Sequence, residues 1–167
     1  MKIQELMTSE VEACRPSTDL AAVSMIMWGQ DCGIVPVTDD ARRVLGVVTD
    51  RDICMALATR HRRDEELTAQ EVMSARLFSV HPDDDVRVAL ETMRTQRVRR
   101  LPVVDAEQRL LGIVSINDVV LLAQPSGARV TTGLSANDVL VTLQSICGHP
   151  VPARRPQPKE ELIAAHA

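Results

Sequence analysis

The chain writes one pattern twice at a fixed distance. "GVVTDRD" occupies 46–52 and "GIVSIND" occupies 112–118, so Gly46 and Gly112 stand 66 positions apart, as do Asp52 and Asp118. The offset extends well beyond these motifs. Gln4-Glu5-Leu6-Met7 returns as Gln70-Glu71-Val72-Met73, Pro16 as Pro82, Asp19 as Asp85, and Pro36-Val37 as Pro102-Val103. No gap is needed between Gln4 and Leu57. A register held that long is an internal duplication, and it requires a fold built from two like units. A unit of about 55 residues is near the lower limit for burying enough surface alone. Two copies packed about a pseudo-two-fold axis are therefore expected, with two related clefts between them.

Each copy reads as β-α-β-β-α. A short apolar strand ("VEAC"; "LFSV") precedes a proline and then Asp19 or Asp85, which can cap a helix start. The helix runs from Leu20 to about Gln30, and from Val86 to about Gln96, with Val86, Leu90 and Met93 on one face. Two strands follow, "GIVPV" then "VLGVVT" and "RLPVV" then "LLGIVS", each pair joined by a polar loop. A second helix starts after Thr49 or Ser115. The crossover makes the first two strands parallel and the loop makes a hairpin, so a mixed sheet is expected in an α+β fold. The expected organisation is a first repeat over 3–58, a polar linker over 59–68 and a second repeat over 69–123. A further helix lies within 134–148, ahead of a loose, proline-rich tail over 149–167.

That further helix, "SANDVLVTLQSIC", has Ser135 as its cap with Asp138 three positions on, and Leu134 with Val139 as a hydrophobic staple. Val139, Leu143 and Ile146 share a face that must cover either the module's own flank or a partner subunit. Self-association is the favoured use, because the helix lies outside the repeat.

Several function classes are disfavoured. A formal charge of −4 creates no field that would gather nucleic acid or an acidic membrane. Trp28 and Phe78 are the only aromatic residues, so a platform for stacking single-stranded bases is absent. Cys14, Cys32, Cys54 and Cys147 form no C-x-x-C pair and read as small buried apolar residues. The four histidines show no metal-ligand spacing, and neither a Gly-x-Ser-x-Gly elbow nor a Walker loop is present, so no catalytic role is expected. The opening "MKIQELMTSE" has no apolar signal region, and no stretch approaches ~20 apolar residues. A cytoplasmic location is expected.

The strand–helix junction admits two readings. Thr49-x-x-Asp52 and Ser115-x-x-Asp118 resemble capping boxes, in which a hydroxyl and an acid satisfy the first helical amides. The same junction suits a nucleotide. A helix start favours phosphate, and a carboxylate has two acceptor oxygens for the hydroxyls of a ribose. Pro36 and Pro102 lie inside apolar strands, where proline removes a ladder donor. They serve either to protect an edge or to leave backbone groups near Val35 and Leu101 free to read the edge of a base. With so few aromatics, that base would lie between aliphatic side chains.

The duplicated pattern G-h-h-P-h … G-h-h-[ST]-x-x-D resembles the cystathionine-β-synthase (CBS) domain, which occurs in tandem pairs called Bateman modules. The resemblance covers Ile3 to about Ala123. It implies two β-α-β-β-α units in a disc-like module, which often dimerises, so a homodimer is the expected assembly. It also implies an adenosine-containing ligand: AMP, ADP or ATP first, with S-adenosylmethionine or NAD(H) as alternatives. The ribose-binding acid carries over to Asp52 and Asp118, and its hydroxyl to Thr49 and Ser115. Basic residues before the middle-strand proline often contact phosphate in this family, which points to Arg99 and Arg100. The first copy has Cys32-Gly33-Ile34 there, so its cleft is expected to be weaker or to hold a less charged ligand. Two functions follow: a regulatory module that binds such a ligand between the repeats and acts on a protein partner not identifiable from sequence, or a ligand-free module that serves as an association surface.

Overall fold

A computed structural model describes residues 1–122 and 134–148. The tail over 149–167, and residue 123 at the end of the second repeat, lie outside the described residues. In chain order the main elements are α1 (Leu20–Gly29), β1 (Ile34–Thr38), β2 (Val44–Thr49), α2 (Asp50–Arg60), the short α3 (Ala69–Val72), α4 (Val86–Gln96), β3 (Arg100–Val104), β4 (Leu110–Ser115), α5 (Ile116–Leu122) and α6 (Ala136–Cys147). Asp19 caps α1 by accepting from Ala22 N at 2.7 Å, and Asp85 caps α4 by accepting from Arg87 N at 3.0 Å. The duplication is visible down to register. Pro36 stands opposite Val47 and Pro102 opposite Ile113, and each hairpin shifts register once, just before its loop.

The two units are joined by exchange. The segment that leads each repeat packs not on its own repeat but on the other one. Ile3, fully buried, belongs to the core of the second repeat with Val86, Leu90, Met93 and Leu101. Leu67 and Ala69, also fully buried, belong to the core of the first repeat with Leu20, Val23, Val35 and Val48. Each fully buried leucine or isoleucine contributes about 1.5–3 kcal/mol, so neither core is complete without the other's leader. Backbone bonds fix the exchange at both ends. Ile3 N donates to Asp84 O and Gln4 N to Pro82 O, both at 3.0 Å, while Ala69 N donates to Thr18 O at 2.8 Å and Gln70 N to Pro16 O at 3.0 Å. A third cluster, Val44, Val104 and Leu110, sits between the repeats, where Val44 N reaches Gln108 O and Leu110 N reaches Arg42 O.

The exchange explains the repeated glycine. Thr8 exchanges two backbone hydrogen bonds with Ile113, and Ser74 does the same with Val47, so each leader crosses directly over the neighbouring glycine. A Cβ on Gly46 would lie 2.6 Å from the Ser74 carbonyl oxygen, and one on Gly112 would lie 2.5 Å from that of Thr8. The glycines are needed for close approach of two backbones, not for an unusual dihedral angle.

The leading strands differ from expectation. "VEAC" and "LFSV" each make a single parallel bridge, Cys14 to Val37 and Val80 to Val103, so each sheet is a hairpin with that one bridge on one edge and the antiparallel bridge of the crossing segment, Ser74 to Val47 or Thr8 to Ile113, on the other. The prolines supply the reason. Both backbone groups of Val47 bond Ser74, so by ladder alternation its partner Pro36 faces away from β2, toward the leading strand. Cys14 N accordingly donates to Pro36 O, and Cys14 O accepts from Thr38 N, each at 2.9 Å. One step further back, the Glu12 carbonyl would need an N–H at position 36, and the Phe78 carbonyl an N–H at position 102. Proline has none, and the leading strand diverges there. The prolines thus hold an opening, rather than protecting a free edge.

Helix α6 corrects a second expectation. Ser135 caps it and Leu134 with Val139 is buried, but the apolar face lies on the module's own second repeat, against α4 and α5. Leu143 and Ile146 join the same core. Self-association therefore does not use that face. The cysteines also divide: Cys14 is buried and Cys32 half-buried, whereas Cys54 and Cys147 are exposed, contrary to the reading of all four as core. Burial pushes the Cys14 thiol up to about 11. Among the described residues no helix is long and apolar enough to cross a membrane.

Gly46→Ala and Gly112→Ala should each destabilise the fold by about 1–3 kcal/mol, the usual cost of overpacking, as measured by urea unfolding. Gly29→Ala, where nothing lies within 4 Å of the new methyl, serves as the neutral control. Pro102→Ala restores a donor aimed at the Phe78 carbonyl. Its new amide should exchange slowly with deuterium, and rapid exchange there would contradict the account of the opening.

Candidate functional site

The openings held by the prolines continue into two clefts, each assembled from both repeats. The larger, of about 480 Å³, joins Thr49 and Asp52 at the start of α2 to Arg99, Arg100, Leu101 and Pro102 of the second repeat. The smaller, of about 230 Å³, joins Ser115 and Asp118 at the start of α5 to Cys32 and Ile34 of the first repeat, with Arg100 reaching it as well. Eight of the ten residues expected at the site therefore line a cleft. Val35 and Pro36 line neither. Val35 is fully buried opposite Val48, with its backbone turned into the β1–β2 ladder by the alternation that turns Pro36 outward. By the same alternation, the backbone groups that face the clefts belong to Ile34 and Arg100 rather than Val35 and Leu101. The Ile34 carbonyl accepts from the Cys32 thiol at 3.4 Å.

The capping reading of the strand–helix junction is realised, and it uses one oxygen of each acid. Asp52 Oδ2 accepts from Thr49 N at 2.9 Å and from Thr49 Oγ1 at 2.7 Å, and Asp52 N donates back to Thr49 Oγ1 at 3.2 Å. Asp118 Oδ2 accepts from Ser115 N and Ser115 Oγ, both at 2.7 Å. The same bonds recur between Ser135 and Asp138 at α6, so the bonds by themselves only begin a helix. Oδ1 of Asp52 and of Asp118 accepts no hydrogen bond among the described residues. One oxygen holds the helix and the other is left with two acceptor sites for a ligand. Of the two oxygens that each acid was expected to offer a sugar, the helix start takes one.

The clefts also contain residues that sequence reasoning missed. Arg76 and Phe78 line the larger one, with the Arg76 guanidinium 5.1 Å from the Phe78 ring centre and its Nη2 3.5 Å from Gln96 Oε1. An aromatic face is therefore present where only aliphatic walls were expected. The side chains of Arg51, Arg99 and Arg100 have no hydrogen bond or ion pair among the described residues, which leaves their donors available to an anion. Arg94, by contrast, pairs with Glu91 at 2.6 Å near the C-terminal end of α4. Glu10 and Glu12 border the smaller cleft. The signal for all four was in the repeat, since Glu10 and Glu12 are the counterparts of Arg76 and Phe78. Among the described residues no group of three or more His, Cys, Asp or Glu is placed to hold a metal ion.

Known proteins share this arrangement. The CBS domain family matches residues 3–59 and again 69–124. A CBS domain-containing protein of Bacillus subtilis, YhcV, is 29% identical over 139 residues, covering 82% of this chain and 97% of that protein. The crystal structure of a CBS domain protein from Pyrobaculum aerophilum, complexed with AMP, is similar with a TM-score of 0.64 and 28% identity, over 71% of this chain and 89% of that one. A CBS domain protein from Thermoplasma acidophilum shares the fold over 87% of this chain and 75% of that one, with a TM-score of 0.71 and 23% identity. With both repeats matched and their strands, junctions and clefts in place, the chain belongs to the CBS domain family, as a tandem pair.

Proposed function

We propose that this protein is a non-catalytic regulatory module that binds an adenine nucleotide, AMP, ADP or ATP, in the larger cleft. The observation that carries the reading is the pairing, across one opening, of the free Asp52 oxygen with the unpaired Arg99 and Arg100. The carboxylate suits ribose hydroxyls and the guanidinium groups suit phosphate. Phe78 and Val98, both half-buried, offer apolar surface for the base. AMP in the related protein from Pyrobaculum aerophilum supports the same ligand class. The ligand-free scaffold remains the competing reading, and S-adenosylmethionine or NAD(H) the competing ligands.

We infer that a second copy of the chain covers the helix face of the first repeat, which is bare among the described residues. On the second repeat the matching face of α4 and α5 is covered by α6. On the first, α1 carries no charged residue and leaves Met25 67% and Trp28 84% exposed, with Met55 of α2 51% exposed. An uncharged face can meet its own copy in a two-fold dimer without like-charge repulsion.

Ligand selective for the native state raises stability by about 2.7 kcal/mol at 100 times its Kd, so AMP, ADP or ATP should raise the melting temperature by several degrees. Asp52→Asn should weaken binding by roughly 1.5–3 kcal/mol, the worth of a hydrogen bond to a charged group. Arg99→Ala with Arg100→Ala should remove selectivity for phosphate. No shift with any adenosine compound would favour the scaffold. In sedimentation, the wild type should run as a dimer and Met25→Glu with Trp28→Glu as a monomer. A wild type that is monomeric at tens of micromolar would remove the dimer.

A further inference from the structure

We infer that the two clefts sort ligands by charge: the larger takes a phosphorylated, anionic adenosine compound, the smaller a nucleoside without phosphate that is neutral or cationic, and Arg100 couples the two. The inference rests on the reading above that adenosine compounds occupy the clefts.

The two clefts are built from the same repeat positions, so they can be compared residue by residue. Where the second copy supplies Arg76, Phe78, Arg99 and Arg100, the first copy has Glu10, Glu12, Gly33 and Ile34. The sign of the lining therefore reverses. Arg51, Arg76, Arg99 and Arg100 outnumber Asp50 and Asp52 in the larger cleft. In the smaller, Glu10, Glu12, Asp31 and Asp118 face Arg100 as the one cation among the described residues. A phosphate carries close to two negative charges near neutral pH, and like charge held against it disfavours binding. A cleft with low-dielectric walls concentrates that field, and Val11, Ile26, Ile34 and Ile113 form such walls in the smaller one. Its volume is about half that of the larger, 230 against 480 Å³. Asp118 nevertheless keeps the acceptor oxygen that a ribose needs. What remains is a site for a sugar and base, closed to a phosphate tail and open to a positive group at the acidic rim.

Arg100 lines both clefts and its side chain has no hydrogen bond or ion pair among the described residues. A phosphate in the larger cleft engages the guanidinium and neutralises it. The smaller cleft then loses the one cation that opposed its acids, and its preference for a cationic nucleoside rises. Linkage makes the effect reciprocal.

Calorimetric titration of the intact chain with 5′-AMP and with S-adenosylmethionine, each alone and with the other saturating, tests this, with adenosine as the neutral control. The expected result is one AMP and one S-adenosylmethionine per chain, bound together, with the second at least about fivefold tighter when the first is present. Asp52→Asn should weaken AMP alone, Asp118→Asn S-adenosylmethionine alone. Arg100→Ala should weaken AMP and abolish the coupling. Glu12→Gln with Asp31→Asn should bring a second AMP onto each chain. Melting temperatures without ligand check that each variant is folded. Two AMP molecules filling the wild type with similar affinity, or AMP displacing S-adenosylmethionine from one common site, would overturn the sorting and leave the adenosine reading intact. No binding of any of these compounds would overturn both.

Discussion

The structure depends on two backbone crossings. At each, the leading segment of one repeat lies across the β-strand of the other, bonded in both directions, Thr8 with Ile113 and Ser74 with Val47. These four hydrogen bonds do more than join two domains. They deliver Ile3 into the second core and Leu67 with Ala69 into the first, so each half is filled by residues from the other. A unit this small gains little from folding alone, and exchange makes the pair the smallest cooperative unit. The glycine beneath each crossing is the steric condition for it: a single methyl would meet the opposing carbonyl at 2.5 or 2.6 Å.

The clefts follow from the same constraint combined with the prolines. A leading strand that paired fully with its neighbour would close the space. Because positions 36 and 102 lack a donor, pairing stops at Cys14 and Val80, and the residues just before them diverge to form one wall. The opposite wall comes from the helix start of the other repeat. There a single carboxylate divides its two oxygens between fold and site. Stability and ligand readiness are therefore not separate provisions. Removing the acid would weaken the helix start and take the free oxygen from the cleft, whereas an amide in its place keeps an acceptor for the cap and loses the charge.

Much of this was legible in the amino-acid order. The offset of 66, the capping aspartates, the hairpins with their shared register and the start of α6 all follow from local chemistry, in which period, turn residues and caps agree. The exchange was not legible, for a definite reason. A duplicated sequence has the same internal offset whether each leader packs on its own unit or on its neighbour, so Gly46 and Gly112 looked like features of their own strands. The first strands were overestimated because apolar residues before a helix read as pairing, and the consequence of a proline on the neighbouring strand is non-local. Helix α6 was read correctly as a helix, yet its apolar face could not be assigned to an owner until α4 and α5 were placed beside it. The lining of the candidate clefts was legible where it used the repeat motif, at Thr49, Asp52, Ser115 and Asp118. It was missed where the copies diverge, at Glu10 against Arg76 and Glu12 against Phe78.

That divergence bears on how such a module can report what it binds. A ligand shifts a conformational equilibrium only by as much as its affinity differs between states. Here the lining of each cleft spans both repeats: Asp52 belongs to one half and Arg99 to the other, Asp118 to one and Ile34 to the other. Any change in the angle between the halves must therefore alter the distance between the groups on the two sides of each cleft. Such a change also bears on Arg100, the guanidinium common to both openings. The exchanged leaders resist separation of the halves, since parting them would expose Ile3 and Leu67. The architecture is thus stiff against dissociation of the two halves between which both clefts lie.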